Sequence, residues 1–183
     1  MPTTTVHRFR KSLAWSNSPK VRNFWRAAYA MKWPTVEWIE YVTDLHLQRH
    51  GVDVRLHLAN GEVVCVDEKS RDYTVDARFT ADIAIEYAHE YHDGSTQPGW
   101  IEKDDMYTNW LAYGWVPSGR ACFIDWLALR ELWRKSGKTW RMLCPEDKLI
   151  KAPNADYRTL SVPVWLPELE QRLPKAAFCP VGI

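Results

Sequence analysis

The chain has 183 residues, 46% of them hydrophobic, and its 24 Lys and Arg nearly balance 23 Asp and Glu to leave a net charge of +1. That length and composition fit one domain with an ordinary core. No run of about 18 apolar residues occurs, and the opening MPTTTVHRFRKSLAW lacks the apolar stretch of a signal peptide, so no membrane association is expected and a cytoplasmic location is.

Charge is distributed unevenly. No acidic residue precedes Glu37, whereas Arg8, Arg10, Lys11, Lys20, Arg22, Arg26 and Lys32 do; such a segment can neutralise nucleic-acid phosphates. Residues 1–20 are expected to form a flexible basic arm ahead of a single domain over 21–183, and residues 37–105 are strongly acidic, as a divalent-metal basin would be. Cys65, Cys122, Cys144 and Cys179 are far apart with no C-x-x-C pair, which predicts reduced thiols and no zinc ribbon.

Residues 21–31, VRNFWRAAYAM, read as a short basic helix that Trp33-Pro34 breaks. Thr35 is placed as the N-cap of a second helix to about residue 50, with Trp38, Val42 and Leu45 on its apolar face and Glu37, Glu40, Asp44 and Gln48 on its polar face. Gly51 ends that helix. Residues 52–58 then alternate Val52, Val54, Leu56 and Leu58 against Asp53, Arg55 and His57, and Asn60-Gly61 turns the chain into a second strand over 62–69.

A third strand is expected over 81–88, with Ile83, Ile85 and Tyr87 on one face and Asp82, Ala84 and Glu86 on the other. Beyond a loop at 92–99 come a short helical stretch at 103–108, strands at 110–116 and 120–124 around Pro117-Ser118-Gly119, and a helix at 126–134 capped by Asp125. A strand at 159–165 and a helix at 166–173 close the chain. The succession predicts an α/β domain with a mixed central sheet flanked by helices.

The hairpin also carries the chemistry. Asp67 and Lys69, two residues apart on a strand, share one face, while Val64, Val66 and Glu68 take the other, and Asp53 lies on the neighbouring strand. Two carboxylates and an ammonium on adjoining strands supply hard oxygen ligands for Mg²⁺ and a fixed cation for the attacking water or the phosphate. The pattern Asp53…Asp67-Glu68-Lys69 resembles the D…(D/E)-x-K signature of the PD-(D/E)xK, or restriction-endonuclease-like, nuclease superfamily. The resemblance implies that fold and Mg²⁺-dependent hydrolysis of DNA phosphodiesters, with Mn²⁺ able to substitute. Asp53 and Asp67 would bind the metal, the backbone carbonyl at Glu68 would complete its shell, and Lys69 would orient the hydroxide and stabilise the transition state. The superfamily's Pro is replaced by Val52, a position that varies widely. Small members of this kind resemble phage, prophage or plasmid proteins, and many act as homodimers.

Glu86 is a further candidate catalytic carboxylate, and Glu40 or Asp44 would supply the acidic residue that members often place on the preceding helix. His46, His50, His89 and His92 read as solvent-exposed side chains, since no H-E-x-x-H or third ligand accompanies them. With eleven tryptophans in the chain, Trp100, Trp110 and Trp115 are assigned to core packing rather than base stacking. Neither G-x-x-x-x-G-K-[ST] nor G-x-G-x-x-G occurs, so no nucleotide cofactor is expected. The alternative reading is a non-catalytic protein that keeps the nuclease fold to grip nucleic acid or a protein partner, such as a phage anti-defence factor or an assembly subunit.

Overall fold

The computed structural model describes residues 14–72, 81–146, 149–153 and 156–183. Residues 14–16 form a helical turn, and helix α1 (Pro19–Lys32) follows, with Pro19 in its first turn and the Ser18 hydroxyl accepting from Val21 N. The helix therefore begins inside the segment expected to be an arm; Arg8, Arg10 and Lys11 lie outside the described residues. Val21, Phe24, Trp25, Ala28 and Tyr29 recur at helical spacing and are all buried.

The helix expected over 35–50 does not form. Residues Val36–Tyr41 make strand β1, antiparallel to β2 (Val54–Leu58) with Ile39 opposite Leu56 and Tyr41 opposite Val54. Only Leu45–Arg49 is helical, as α2, with the Asp44 carboxylate accepting from His46 N and Leu47 N. The sequence VEWIEY is rich in β-branched and aromatic residues, and pairing with β2 lets Val36, Ile39 and Tyr41 pack against the cluster beneath α1.

The hairpin forms as expected. Strand β3 (Val63–Arg71) pairs antiparallel with β2, Val54 opposite Val66 and Leu56 opposite Val64. Gly61 takes φ +83° in the turn, where the Asn60 side chain accepts from Glu62 N.

The remaining elements are β4 (Asp82–Tyr91), β5 (Thr96–Pro98), β6 (Trp110–Trp115), β7 (Arg120–Asp125), α3 (Trp126–Leu143), β8 (Ile150–Pro153), β9 (Tyr157–Trp165), α4 (Leu166–Arg172) and β10 (Phe178–Gly182). Among the described residues the strands form two sheets. One is mixed, in the order β1-β2-β3-β6-β7-β10, with only β3 and β6 parallel; the other is antiparallel, β5-β4-β9-β8. The fold is thus mixed α/β, with helices on either side of a mixed central sheet.

Three expectations about this half of the chain are corrected. Strand β4 leaves the central sheet and pairs with β9. Residues 103–108 carry no helix; one short 3₁₀ turn, Trp100–Glu102, precedes them. Helix α3 runs on to Leu143 instead of stopping near Arg134, and Gly137 lets it pass the Trp133 ring, where a β-carbon would come within 2.6 Å.

Two apolar clusters use opposite faces of the central sheet. On one face Val54, Leu56, Val64, Val66, Ala112 and Phe123 pack under α1. The wholly buried Trp25 lies there and donates its indole N–H to Ser70 Oγ at 2.9 Å; burial of an aromatic side chain this large stabilises by roughly 4–6 kcal/mol before entropy is counted. On the other face Leu111, Tyr113, Trp115, Cys122 and Ile124 of β6 and β7 pack against Ile83, Ile85, Val162 and Val164 of the second sheet and against α3. Among the described residues no β1, β2 or β3 side chain joins that second cluster, and Trp38, Glu40, Arg55 and His57 are exposed or half-buried, so by those residues this face is covered over β6 and β7 and open over β1 and β2.

The two sheets are joined by a buried ion pair, Arg71 Nη1 to Asp82 Oδ1 at 3.0 Å. Arg71 Nε also donates to the Tyr113 hydroxyl, which accepts from Ala84 N as well. Asp67 and Lys69 precede Arg71 on the same strand face, at the boundary between the covered and open halves.

Candidate functional site

Asp53 ends the link from α2 and enters β2. Its N–H donates to Val66 O, its carbonyl accepts from Val42 N, and its carboxylate Oδ2 accepts from Glu68 N at 2.9 Å. These three bonds, two to β3 and one to Val42 just beyond β1, fix the side chain, and its charge acts on the Asp67 carboxyl. Lys69 Nζ donates to Asp67 Oδ1 at 2.5 Å. The structure therefore brings Asp53, Asp67 and Lys69 together where the hairpin register places them.

Burial is unequal. The Asp67 side chain is 3% exposed, while that of Lys69 is 37% exposed. A cavity of about 420 Å³ opens beside them, lined by Asn17, Tyr41, Gln48, Asp53, Glu68 and Lys69 among others. Its walls come from the segment before α1, the end of β1, α2, the start of β2 and the middle of β3.

Electrostatics at the site are dominated by excess carboxylate. Burial pushes the Asp67 carboxyl up to about 7; the Lys69 ammonium opposes the rise and the Asp53 charge adds to it. Burial likewise lifts Glu68 to about 8, against a hydrogen bond from the Tyr29 hydroxyl and with Asp53 and Asp67 adding to it. Burial disfavours the Lys69 ammonium too, but the Asp67, Asp53 and Glu86 carboxylates outweigh it and hold Lys69 above the ordinary lysine value. The Tyr29 hydroxyl is raised well above the phenol range, first by burial and then by Glu68, and so stays a donor.

Glu86 stands on the second sheet. Its charge is felt by Lys69, but its carboxylate pairs with His89 Nε2 at 3.2 Å. Glu40 and Asp44 do not enter the site from a preceding helix: Glu40, on β1, pairs with Arg55 and His57, and Asp44 caps α2. His46 and His92 are exposed, whereas His50 and His89 are half-buried and each faces a carboxylate, Asp105 and Glu86 respectively. Trp100 and Trp115 are buried in the second cluster and Trp110 is half-buried against the first.

One contributor was not identified in the sequence. Tyr29 reaches the site from α1 to hold Glu68; the signal was its place on the buried stripe of that helix, where a phenol needs a polar partner. Arg22, already a candidate phosphate contact, lies over the Tyr41 ring at 4.4 Å and its charge acts on Glu68, and the Arg26 charge acts on Tyr41 as well. Lys20 and Arg26 are exposed on the same helix.

Among the described residues no three His, Cys, Asp or Glu side chains converge as a metal cage. The Asp53 and Asp67 pair nevertheless fits a hard divalent cation, since it offers two adjacent oxygen donors in surroundings where negative charge is under-compensated. Mg²⁺ is bound in this way elsewhere, through one or two carboxylates with water and substrate oxygens filling the remainder. No family model, curated protein or solved structure matches the chain.

Proposed function

We infer that the chain is a metal-dependent nuclease that hydrolyses DNA phosphodiester bonds at Asp53, Asp67 and Lys69. The observation that carries this reading is the meeting of two carboxylates and one lysine ammonium across β2 and β3, beside a cavity that reaches solvent.

Asp53, Asp67 and the backbone carbonyl at Glu68 would hold Mg²⁺ or Mn²⁺. When bound, the ion supplies Lewis acidity toward the phosphate and lowers the pKa of a coordinated water. Everything else falls to the chain. Lys69, partly exposed and paired with Asp67, would bind a phosphate oxygen or the attacking water, since a compact ammonium can approach one oxygen closely. The bond from Glu68 N holds Asp53 in place without any help from the substrate. Glu86, positioned by His89, keeps negative charge near Lys69 and so favours its protonated form. Lys20, Arg22 and Arg26 on α1, with Arg8, Arg10 and Lys11 ahead of it, would neutralise the phosphates of DNA lying across the cavity mouth.

The test is incubation of the purified protein with linear duplex, nicked plasmid and single strands in Mg²⁺, Mn²⁺ or EDTA. Cleavage that depends on the metal and is lost in EDTA is the expected result. Tight DNA binding with no cleavage in either metal would replace this reading by that of a non-catalytic DNA-binding protein.

A further inference from the structure

The central-sheet face that carries the candidate site continues onto β1 and β2, where Trp38 is exposed and Glu40, Arg55 and His57 are half-buried. Asp53, Arg55 and His57 alternate along that face of β2, with Trp38 and Glu40 beside them on β1, while Val54, Leu56 and Ile39 turn inward to α1. Trp38 is 52% exposed although it stacks flat on His57, the ring centroids 3.6 Å apart and the planes 8° from parallel. His57 Nε2 pairs in turn with Glu40 Oε2 at 3.0 Å, and Arg55 Nη1 with Glu40 Oε1 at 3.4 Å.

A cross-strand aromatic pair that served only to shield a strand edge would bury its indole. Here one indole face is fixed on the imidazole and the other is presented to solvent, in a rigid stack that pays little entropy when a second flat ring arrives. The carboxylate beside it, Glu40, is engaged by the Arg55 guanidinium and by His57 Nε2, so its charge is compensated where an anionic chain would lie. At about 3.3 Å per residue His57 lies about 13 Å along β2 from Asp53, a span of a few nucleotides.

We propose that Trp38, backed by His57, is a stacking platform for an unpaired base of a DNA strand whose scissile phosphate lies at Asp53 and Asp67. The inference rests on the nuclease reading for its partner. Arg55, between platform and site, contacts the intervening phosphate. Double-stranded DNA cannot use the platform, because its bases have no free face to offer.

Binding of a fluorescein-labelled oligothymidine and of a duplex of equal length, measured by anisotropy in EDTA at fixed salt, tests this without requiring cleavage. Trp38→Ala should weaken single-strand binding by roughly tenfold, as loss of one base–aromatic stack does, and change duplex binding by less than about twofold. Trp38→Phe should retain most of the affinity, and Trp165→Ala, which removes another exposed indole on β9, should change neither. Unchanged single-strand affinity in a Trp38→Ala protein with native circular dichroism overturns the proposal, as does an equal loss for single strand and duplex. A protein that binds through Trp38 yet never cleaves would overturn the nuclease reading and leave the platform standing; cleavage with Trp38 dispensable for binding would do the reverse.

Discussion

The backbone N–H of Glu68 donates to the carboxylate of Asp53 at 2.9 Å. One bond thus ties the residue that opens β2 to the strand carrying Asp67 and Lys69, and it holds the two aspartates together despite their repulsion. Burial first, and the neighbouring carboxylates after it, lift the carboxyl groups to about 7 at Asp67 and about 8 at Glu68.

That elevation fixes the sign of the pH dependence. In the folded chain Asp67 and Glu68 keep their protons up to about pH 7 and 8, while in the unfolded chain they release them near 4. The folded state therefore binds more protons across this window, so the contribution of these two groups to metal-free stability is full below about pH 4, falls as pH rises toward 8 and levels off above it. Thermal melting in EDTA should show a lower midpoint at pH 8.5 than at pH 5.5. Asp67→Asn should flatten the dependence, and a wild-type midpoint rising steadily over the range would contradict it.

Lys69→Ala should act in the same direction. Removing the ammonium leaves the Asp67 carboxylate, 3% exposed, without the cation that opposes its burial. The variant should melt close to wild type at pH 5.5, where Asp67 is protonated, and clearly below it at pH 8.5. Equal destabilisation at both pH values would mean that the lysine contributes by packing alone.

At the junction of the two sheets, Arg71→Ala should destabilise by about 3–5 kcal/mol in urea unfolding, the usual consequence of stranding a buried charge. The loss covers the ion pair with Asp82 and the bond to the Tyr113 hydroxyl. Arg71→Met combined with Asp82→Asn should recover part of it. A single variant within 1 kcal/mol of wild type would show that the second sheet docks without this pair.

The basic residues are best tested one at a time. Deleting residues 1–26 would remove the buried Val21, Phe24 and Trp25 and so unfold the first cluster. Deletion of residues 1–13 and the substitutions Lys20→Ala, Arg22→Ala and Arg26→Ala keep it. Each lost phosphate contact should lower the slope of log affinity against log salt by about 0.9 on duplex. An unchanged slope throughout would move the DNA surface elsewhere, with Arg130, Arg134, Lys135, Lys138 and Arg141 on α3 the next candidates.

The parts of this structure that were legible in the sequence are those fixed by local rules. Period-two alternation and Asn60-Gly61 set the hairpin register, and the register alone put Asp67 and Lys69 on one face with Asp53 alongside. Helix α1 was legible from its apolar spacing, and Asp125 from its capping of α3. Residues 36–41 were not, because Trp38, Val42 and Leu45 also satisfy a helical spacing and only the distant pairing with β2 decides between the two. Strand β4 was recognised but assigned to the wrong sheet, since its partner β9 lies some seventy residues away and nothing near β4 announces it. Glu86 consequently meets the site from the opposite sheet, and Tyr29, whose role depends on the packing of α1 over β3, was missed.

The central claim, that Asp53, Asp67 and Lys69 form a metal-dependent phosphodiesterase site, is tested most directly by supercoiled-plasmid cleavage in Mg²⁺ with wild type, Asp67→Asn and Lys69→Ala, each confirmed folded by circular dichroism at the assay pH. The account predicts nicked or linear product from the wild type, none in EDTA, and a loss of at least about a hundredfold in rate in each variant, as removal of a transition-state donor or a metal ligand produces. Wild-type cleavage rates in either folded variant would contradict it.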